Sequence, residues 1–346
     1  MERGQFTLSE IGRQDKVFAT TLAQFPAFKQ IIGEVKKENF TKILFLGCGT
    51  SYFLAGAASA YFAKYNDITC DYLASFEFYK NTQRYVKPND KVLLVPFTRV
   101  ASTTETMVAV KKGVAMDNVK SLQITCDDFS YQYSTWSLYI PDVQESSIVM
   151  TSTFSSMLYT AMYFAAEMAG DETLVKALEA LPEDTGKNIA RFASDMEALA
   201  QKHTDMKVFV GLGSGEHYGL AGEASIKVKE MTLTPSECYY SLEYRHGPIS
   251  IADPRTVIAY YVSDNTAEED TKLIQELKAL GACVVALGNV TEEIAALADV
   301  SYKTEIGNDV NLPELIIPMQ YFGAYLAIAR GYDPDRPQNL TKAIIL

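Results

Sequence analysis

The chain has 346 residues, which at roughly 150 residues per domain is the length of about two domains. Apolar residues make up 48% and charged residues 21%, ordinary globular values that exclude a disordered chain, a collagen-like repeat and a coiled coil. With 31 Lys and Arg against 43 Asp and Glu the formal charge is −12, the wrong sign for a surface that grips nucleic acid or anionic lipid, so any anionic ligand must be held locally.

The first residues, Met1-Glu2-Arg3-Gly4-Gln5, lack the apolar stretch of a signal peptide. No run reaches the ~18 apolar residues of a membrane span, so a soluble, cytoplasmic chain without membrane partners is expected. Thr7-Leu-Ser-Glu10 has the pattern of a capping box and predicts the start of a helix in an N-terminal segment, residues 1–30. Over residues 31–170, β-branched and apolar runs near 42–48, 67–73, 91–97, 120–126 and 137–141 alternate with helical patterns, closed by a long helix from Thr153 to Ala169. Residues 171–203 are polar and helical and read as a linker. Residues 204–332 repeat the alternation, with strands expected near 207–212, 256–263, 283–288 and 299–304 and a closing helix from Leu312 to Arg330. The tail, 333–346, carries Pro334 and Pro337 and is expected to be extended.

The two halves align. Lys42-Ile-Leu-Phe-Leu-Gly47-Cys-Gly49-Thr-Ser51, leading into Leu54-Ala-Gly-Ala-Ala-Ser59, matches Lys207 through Gly215 leading into Leu220-Ala-Gly-Glu-Ala-Ser225, with Leu54 and Leu220 at an offset of 166 residues. Val92-Leu-Leu-Val95 matches Val257-Ile-Ala-Tyr260 at 165. A nearly constant offset over several elements implies duplication of one domain. Strands alternating with helices imply an α/β fold of parallel sheets covered on both faces.

Five cysteines without a CxxC pair read as reduced core residues, and three histidines (His203, His217, His246) are too few for a multi-histidine metal centre. Carboxylate-only binding of a hard cation such as Mg²⁺ stays open.

In parallel sheets ligands sit beyond the carboxyl ends of the strands. After the first strand, Gly49, Thr50 and Ser51 open a helix, where backbone N–H groups, the helix dipole and hydroxyls suit a phosphate. An ordinary capped βα turn has the same look. After the third strand, Thr98-Arg99-Val-Ala-Ser102-Thr103-Thr104-Glu-Thr106 gathers hydroxyls and an arginine at another helix start, where caps are the plain alternative. In the second half Lys227 and Glu230 stand three apart on one helix face, either a surface ion pair or the two working groups of a cleft. His246, in Tyr244-Arg-His-Gly-Pro248, is the best placed proton shuttle by its near-neutral titration, although a loop histidine is usually just solvated.

The repeated fold, Gly47-Cys-Gly-Thr-Ser51, the loop Thr98–Thr106, Thr151-Ser-Thr153, Lys227-Val-Lys-Glu230, Arg245-His-Gly-Pro248 and Pro337-Gln-Asn-Leu-Thr-Lys342 together resemble the sugar isomerase (SIS) domain family. Its members include the isomerase half of glucosamine-6-phosphate synthase and stand-alone phosphosugar isomerases, deaminases and deglycases. The likeness covers about residues 5–346.

The resemblance implies two tandem SIS domains, each a flavodoxin-like three-layer sandwich, with the C-terminal tail over the active site. It implies a phosphate held by Gly49, Thr50, Ser51, Thr98, Arg99 and Thr103, with Ser152 on the sugar. Glu230 resembles the base that moves a proton between C1 and C2, with Lys227 beside the sugar oxygens. His246 resembles the ring-opening group, contributed in the family by the neighbouring subunit, which implies a homodimer. Lys342 corresponds to a lysine that forms a Schiff base or stabilises negative charge. No cofactor is implied.

The sequence departs from the family at Val100 and Ala101, where a serine and a glycine are usual, which puts one phosphate contact in doubt. Phe154 stands where the synthase has lysine, and Met150-Thr-Ser-Thr-Phe154 looks more like the tagatose-6-phosphate ketose/aldose isomerase branch. With no glutaminase domain in view, the expected activity is isomerisation or deamination of a hexose or amino-sugar 6-phosphate. Deglycation of a fructosamine 6-phosphate is the alternative, and a non-catalytic sugar-phosphate sensor the alternative of another class. A nucleotide-binding Rossmann enzyme ranks last, for want of the full glycine fingerprint.

Overall fold

The computed structural model describes residues 2–100, 103–128 and 133–344. The elements in chain order are α1 (Gln5–Ile11), α2 (Gln14–Leu22), α3 (Phe25–Lys37), β1 (Lys42–Gly47), α4 (Thr50–Tyr65), β2 (Thr69–Ala74), α5 (Ser75–Tyr85), β3 (Val92–Thr98), α6 (Thr104–Val114), β4 (Val119–Thr125), β5 (Trp136–Tyr139), α7 (Ser152–Ala169) and α8 (Glu172–Leu178). They continue with α9 (Leu181–Lys202), β6 (Val208–Leu212), α10 (Glu216–Thr232), β7 (Ser236–Tyr239), β8 (Thr256–Val262), α11 (Ala267–Ala279), β9 (Cys283–Gly288), α12 (Glu292–Leu297), β10 (Val300–Lys303), α13 (Asn308–Leu315) and α14 (Ile317–Ala329).

The ten strands form two five-stranded sheets, β2-β1-β3-β4-β5 and β7-β6-β8-β9-β10. Every pairing is parallel. Both sheets have the same order counted from their first strand, 2-1-3-4-5, and it reverses between the first and third strands, the switch point at which sheets of this kind generally bind ligands. The expected α/β class of parallel sheets flanked by helices is therefore present. The chain divides into two compact units. One, built on the first sheet, holds residues 16–145, 152–179 and 341–346; the other, built on the second, holds 1–15, 146–151 and 180–340.

In the first-sheet unit the central strands β1 and β3 are almost wholly buried, as a strand covered on both faces must be. Leu44, Leu46, Leu94 and Phe78 pack on the α5–α6 face. Phe45, on the opposite face, meets Phe97 and Phe62, and Phe62 stacks on Phe164 of α7. In the second-sheet unit Ile258, Tyr260, Val284 and Ala286 pack against Leu273, Ile274 and Ile294 of α11 and α12, while α9, α10 and α14 pack together.

Five local readings are corrected. The Thr7-Leu-Ser-Glu10 pattern does not cap α1, which starts at Gln5 after Gly4. Asp335 does that work from the far end of the chain: its carboxylate accepts from Phe6 N, Thr7 N and Thr7 Oγ1. Glu10 reaches instead to the backbone N–H groups of Ser146 and Ser147. The strand β7 has no counterpart among the expected strands, because Ser236-Glu-Cys-Tyr239 is a short edge strand with mixed burial. The closing helix of the second half is two helices, α13 and α14, separated at Ile316; Pro318 lacks an N–H and disfavours helix before it. The tail makes turns around Asp333–Arg336 rather than one extended run. All five cysteines are free, but only Cys126 and Cys283 are buried.

Candidate functional site

In the first-sheet unit, β1 ends at Gly47 because a side chain there has no room: a Cβ would stand 2.0 Å from Ser51 O. Gly49 follows at φ 55, ψ −124, a backbone that L side chains avoid. The tight turn delivers Thr50 and Ser51, both buried, at the start of α4. The second-sheet unit repeats the device at β6. A Cβ on Gly213 would lie 2.5 Å from His217 O, and Gly215 has φ 58, ψ −131. His217 thus stands where the first unit has Ser51; it is buried, with Nδ1 3.5 Å from Ser263 Oγ.

Thr98 ends β3, next to β1 in the sheet, and its hydroxyl donates to Val100 O at 2.6 Å. Thr103 precedes α6 as its N-cap without a side-chain cap bond. Ala101 and Ser102 lie outside the described residues.

Arg99 is buried, and Nη1 lies 3.3 Å from Glu145 Oε2. The Glu145 carboxylate also accepts from Ser152 Oγ at 3.1 Å, Thr153 N at 3.2 Å and Thr153 Oγ1 at 2.5 Å. It therefore sits as an anion at the start of α7, where the helix dipole favours negative charge. The backbone carbonyl of Glu145 accepts from Lys342 Nζ, and Lys342 O accepts from Arg99 Nη2 at 3.2 Å. Arg99 and Ser152, far apart in sequence, meet at the Glu145 carboxylate, and Lys342 at the backbone carbonyl of the same residue, which the sequence reading missed. Its signal was weak: Glu145 lies in an irregular segment with no period to mark it.

In the second-sheet unit the candidate residues Lys227 and Glu230 lie on α10. Lys227 Nζ lies 2.5 Å from Glu230 Oε2 and 3.8 Å from Glu223 Oε1. Lys227 is 1% exposed and Glu230 20%, so this is not the solvated pair that spacing alone allowed. Glu223 is wholly buried. Burial, then the Glu223 charge, pushes the Tyr261 phenol well above its usual range. Glu223, one helical turn before Lys227, could have been found by extending the same face. His246 follows the 3₁₀ turn Leu242–Arg245 and is exposed. Arg245 before it is held by Glu276 in a two-pronged ion pair, at 2.9 and 2.7 Å.

Residues 37–167, the span that carries the first sheet and the cluster around Glu145, match the family model described as SIS domain. Over that span the chain is similar to the SIS domain family. The second sheet lies outside the matched span. Among curated relatives, a glutamine–fructose-6-phosphate aminotransferase [isomerizing] from Pyrobaculum aerophilum is 28% identical over 98% of this chain and 57% of its own length. This chain thus spans somewhat more than half of that relative. A glucosamine-6-phosphate deaminase structure from Thermotoga maritima is 29% identical, covers 99% of this chain and 100% of its own, and has a TM-score of 0.76. The fold is shared with a tagatose-6-phosphate ketose/aldose isomerase from Escherichia coli, 21% identical over 97% of this chain and 98% of the other, with a TM-score of 0.83.

Proposed function

We propose that this chain acts on a hexose or amino-sugar 6-phosphate as an aldose–ketose isomerase or deaminase. The observation that carries the reading is the partly open Glu230 carboxylate against the buried Lys227 ammonium. A carboxylate so placed can take a proton from one sugar carbon and return it to the next, and the neighbouring cation favours the negative charge that develops on the enediol oxygens. With an amino sugar the same transfer produces an imine, which water hydrolyses to the ketose and ammonia. The activities named for the relatives, isomerising aminotransferase, deaminase and ketose/aldose isomerase, support this substrate class.

In this reading Gly49, Thr50, Ser51, Thr98, Arg99 and Thr103 hold the phosphate and Ser152 touches the sugar. Thr98 must release Val100 O, and Arg99 must share its guanidinium with Glu145, for either to reach a phosphate. His246 opens the ring, and its exposure suits a group lent to a second copy in a homodimer. Lys342 supplies an amine for a Schiff base or a charge for the enediolate. The shared strand order and the matched glycine turns support descent from one duplicated domain.

The test is a panel of hexose 6-phosphates and amino-sugar 6-phosphates, read for ketose and for ammonia, with the wild-type chain and Glu230→Gln. Turnover by wild type, lost about 100-fold or more in Glu230→Gln with binding retained, is expected. Full activity in the variant removes Glu230 as the base. Binding without turnover of any sugar favours the sensor.

A further inference from the structure

In the second-sheet unit, oxygen atoms from α9, α13 and the residue after β10 close on a small cavity of about 20 Å³, room for about one water molecule. Asp184 is 7% exposed, Glu314 3% and Asn311 1%. Asn188 Nδ2 donates to Glu314 Oε1 at 2.8 Å and lies 3.5 Å from Asp184 Oδ2. Two further oxygens, Asn311 Oδ1 and Thr304 Oγ1, are buried in the same lining and have no hydrogen-bond partner among the described residues. Of the nearby cations, Arg191 is engaged by Asp195 at 3.4 Å and lies over the Tyr302 ring, Lys187 is engaged by Glu183 at 2.7 Å, and Lys303, also in the lining, is exposed.

A buried amide oxygen without a donor is costly, and the Asp184 and Glu314 carboxyls are hydrogen-bonded to each other, which two bare carboxylates cannot be. The proton shared in that bond eases the repulsion between them but leaves Asn311 Oδ1 unsatisfied. A cation answers both. No cluster of three or more Asp, Glu, His or Cys that could hold a metal occurs among the described residues, so the donors on offer are two carboxylates, an amide oxygen and a hydroxyl. That is an all-oxygen set suited to a hard cation.

We propose that this cavity binds one Ca²⁺ ion through Asp184, Glu314, Asn311 Oδ1 and Thr304 Oγ1. Two carboxylates match the charge of a divalent ion. Bidentate carboxylates with the two neutral oxygens supply up to about six donors, within the range Ca²⁺ accepts, whereas Mg²⁺ holds on to several waters for which the cavity has no room. The ion ties α9 to α13, and α13 runs into α14, which packs on the α10 helix of Lys227 and Glu230. The role is structural and independent of the sugar-phosphate reading.

The test uses the whole chain, stripped with a chelator and then titrated with Ca²⁺, Mg²⁺ or Na⁺ while calorimetry reads stoichiometry and a thermal scan reads the midpoint. One Ca²⁺ per chain, a Ca²⁺-dependent rise in midpoint, and loss of both in Glu314→Gln and in Asn311→Leu are expected. Glu314→Gln keeps shape and removes charge, so it separates loss of the site from loss of the fold. No Ca²⁺ binding by wild type overturns the proposal, as does binding unchanged in both variants, which marks an adventitious ion. An equal rise with Mg²⁺ or Na⁺ overturns the assignment to Ca²⁺.

Discussion

Arg99 Nη1 lies 3.3 Å from Glu145 Oε2, and both side chains are removed from water. A buried pair of this kind adds little net stability as a pair, but removing one partner strands the other's charge. Arg99→Ala should therefore cost about 3–5 kcal/mol. Glu145→Gln should cost less, because an amide can still meet Ser152 and Thr153. The double variant should lose clearly less than the sum of the two. Urea unfolding of the four proteins measures this; simple additivity would show that the pair is not coupled.

Lys227 faces the corresponding problem between Glu223 and Glu230. Lys227→Met leaves the wholly buried Glu223 without its cation, at a cost of about 3–5 kcal/mol. Adding Glu223→Gln removes that stranded charge and should restore much of the stability. Turnover should stay absent, because the cation beside Glu230 is still missing. Recovery of activity together with stability would make Lys227 a purely structural residue.

The two glycines of the first βα turn are required for different reasons, and substitution should separate them. Gly49→Ala meets open space but must hold φ 55, a strain of about 1–3 kcal/mol. Gly47→Ala drives a methyl group to 2.0 Å from Ser51 O, and the first turn of α4 cannot give way cheaply because it is backbone. Thermal melting should rank Gly47→Ala as the more damaging, with Gly213→Ala, at 2.5 Å from His217 O, damaging in the same way. The reverse order would mean that conformational strain, not close approach, selects glycine here.

These turns were readable in the sequence because their causes are local. A parallel strand buried on both faces is a continuous apolar run, and the turn after it needs glycine whatever the rest of the chain does. Hence β1, β3, β6 and β8 stood out, and so did the pattern that placed Lys227 and Glu230 on one face. What was hidden depends on distant partners. Asp335 displaces a local capping box at α1 from more than three hundred residues away, and Glu145 has no meaning until Arg99, Ser152 and Lys342 surround it. Edge strand β7 failed for a different reason: a four-residue strand with one side toward solvent carries almost no hydrophobic period.

His203, at the C-terminal end of α9, gives a pH dependence whose sign follows from its surroundings. Burial, its largest influence, holds the imidazole below its ordinary 6.5, against the opposing pull of Asp299 and Asp205. The unfolded chain therefore takes up a proton at a higher pH than the folded one. As the pH falls through about 6.5 the unfolded state gains protons first, so stability declines on the acid side and is fully present above it. Denaturant midpoints compared at neutral and mildly acid pH should fall for the wild type, and the fall should shrink in His203→Gln. An undiminished fall in that variant would assign the acid sensitivity to other groups.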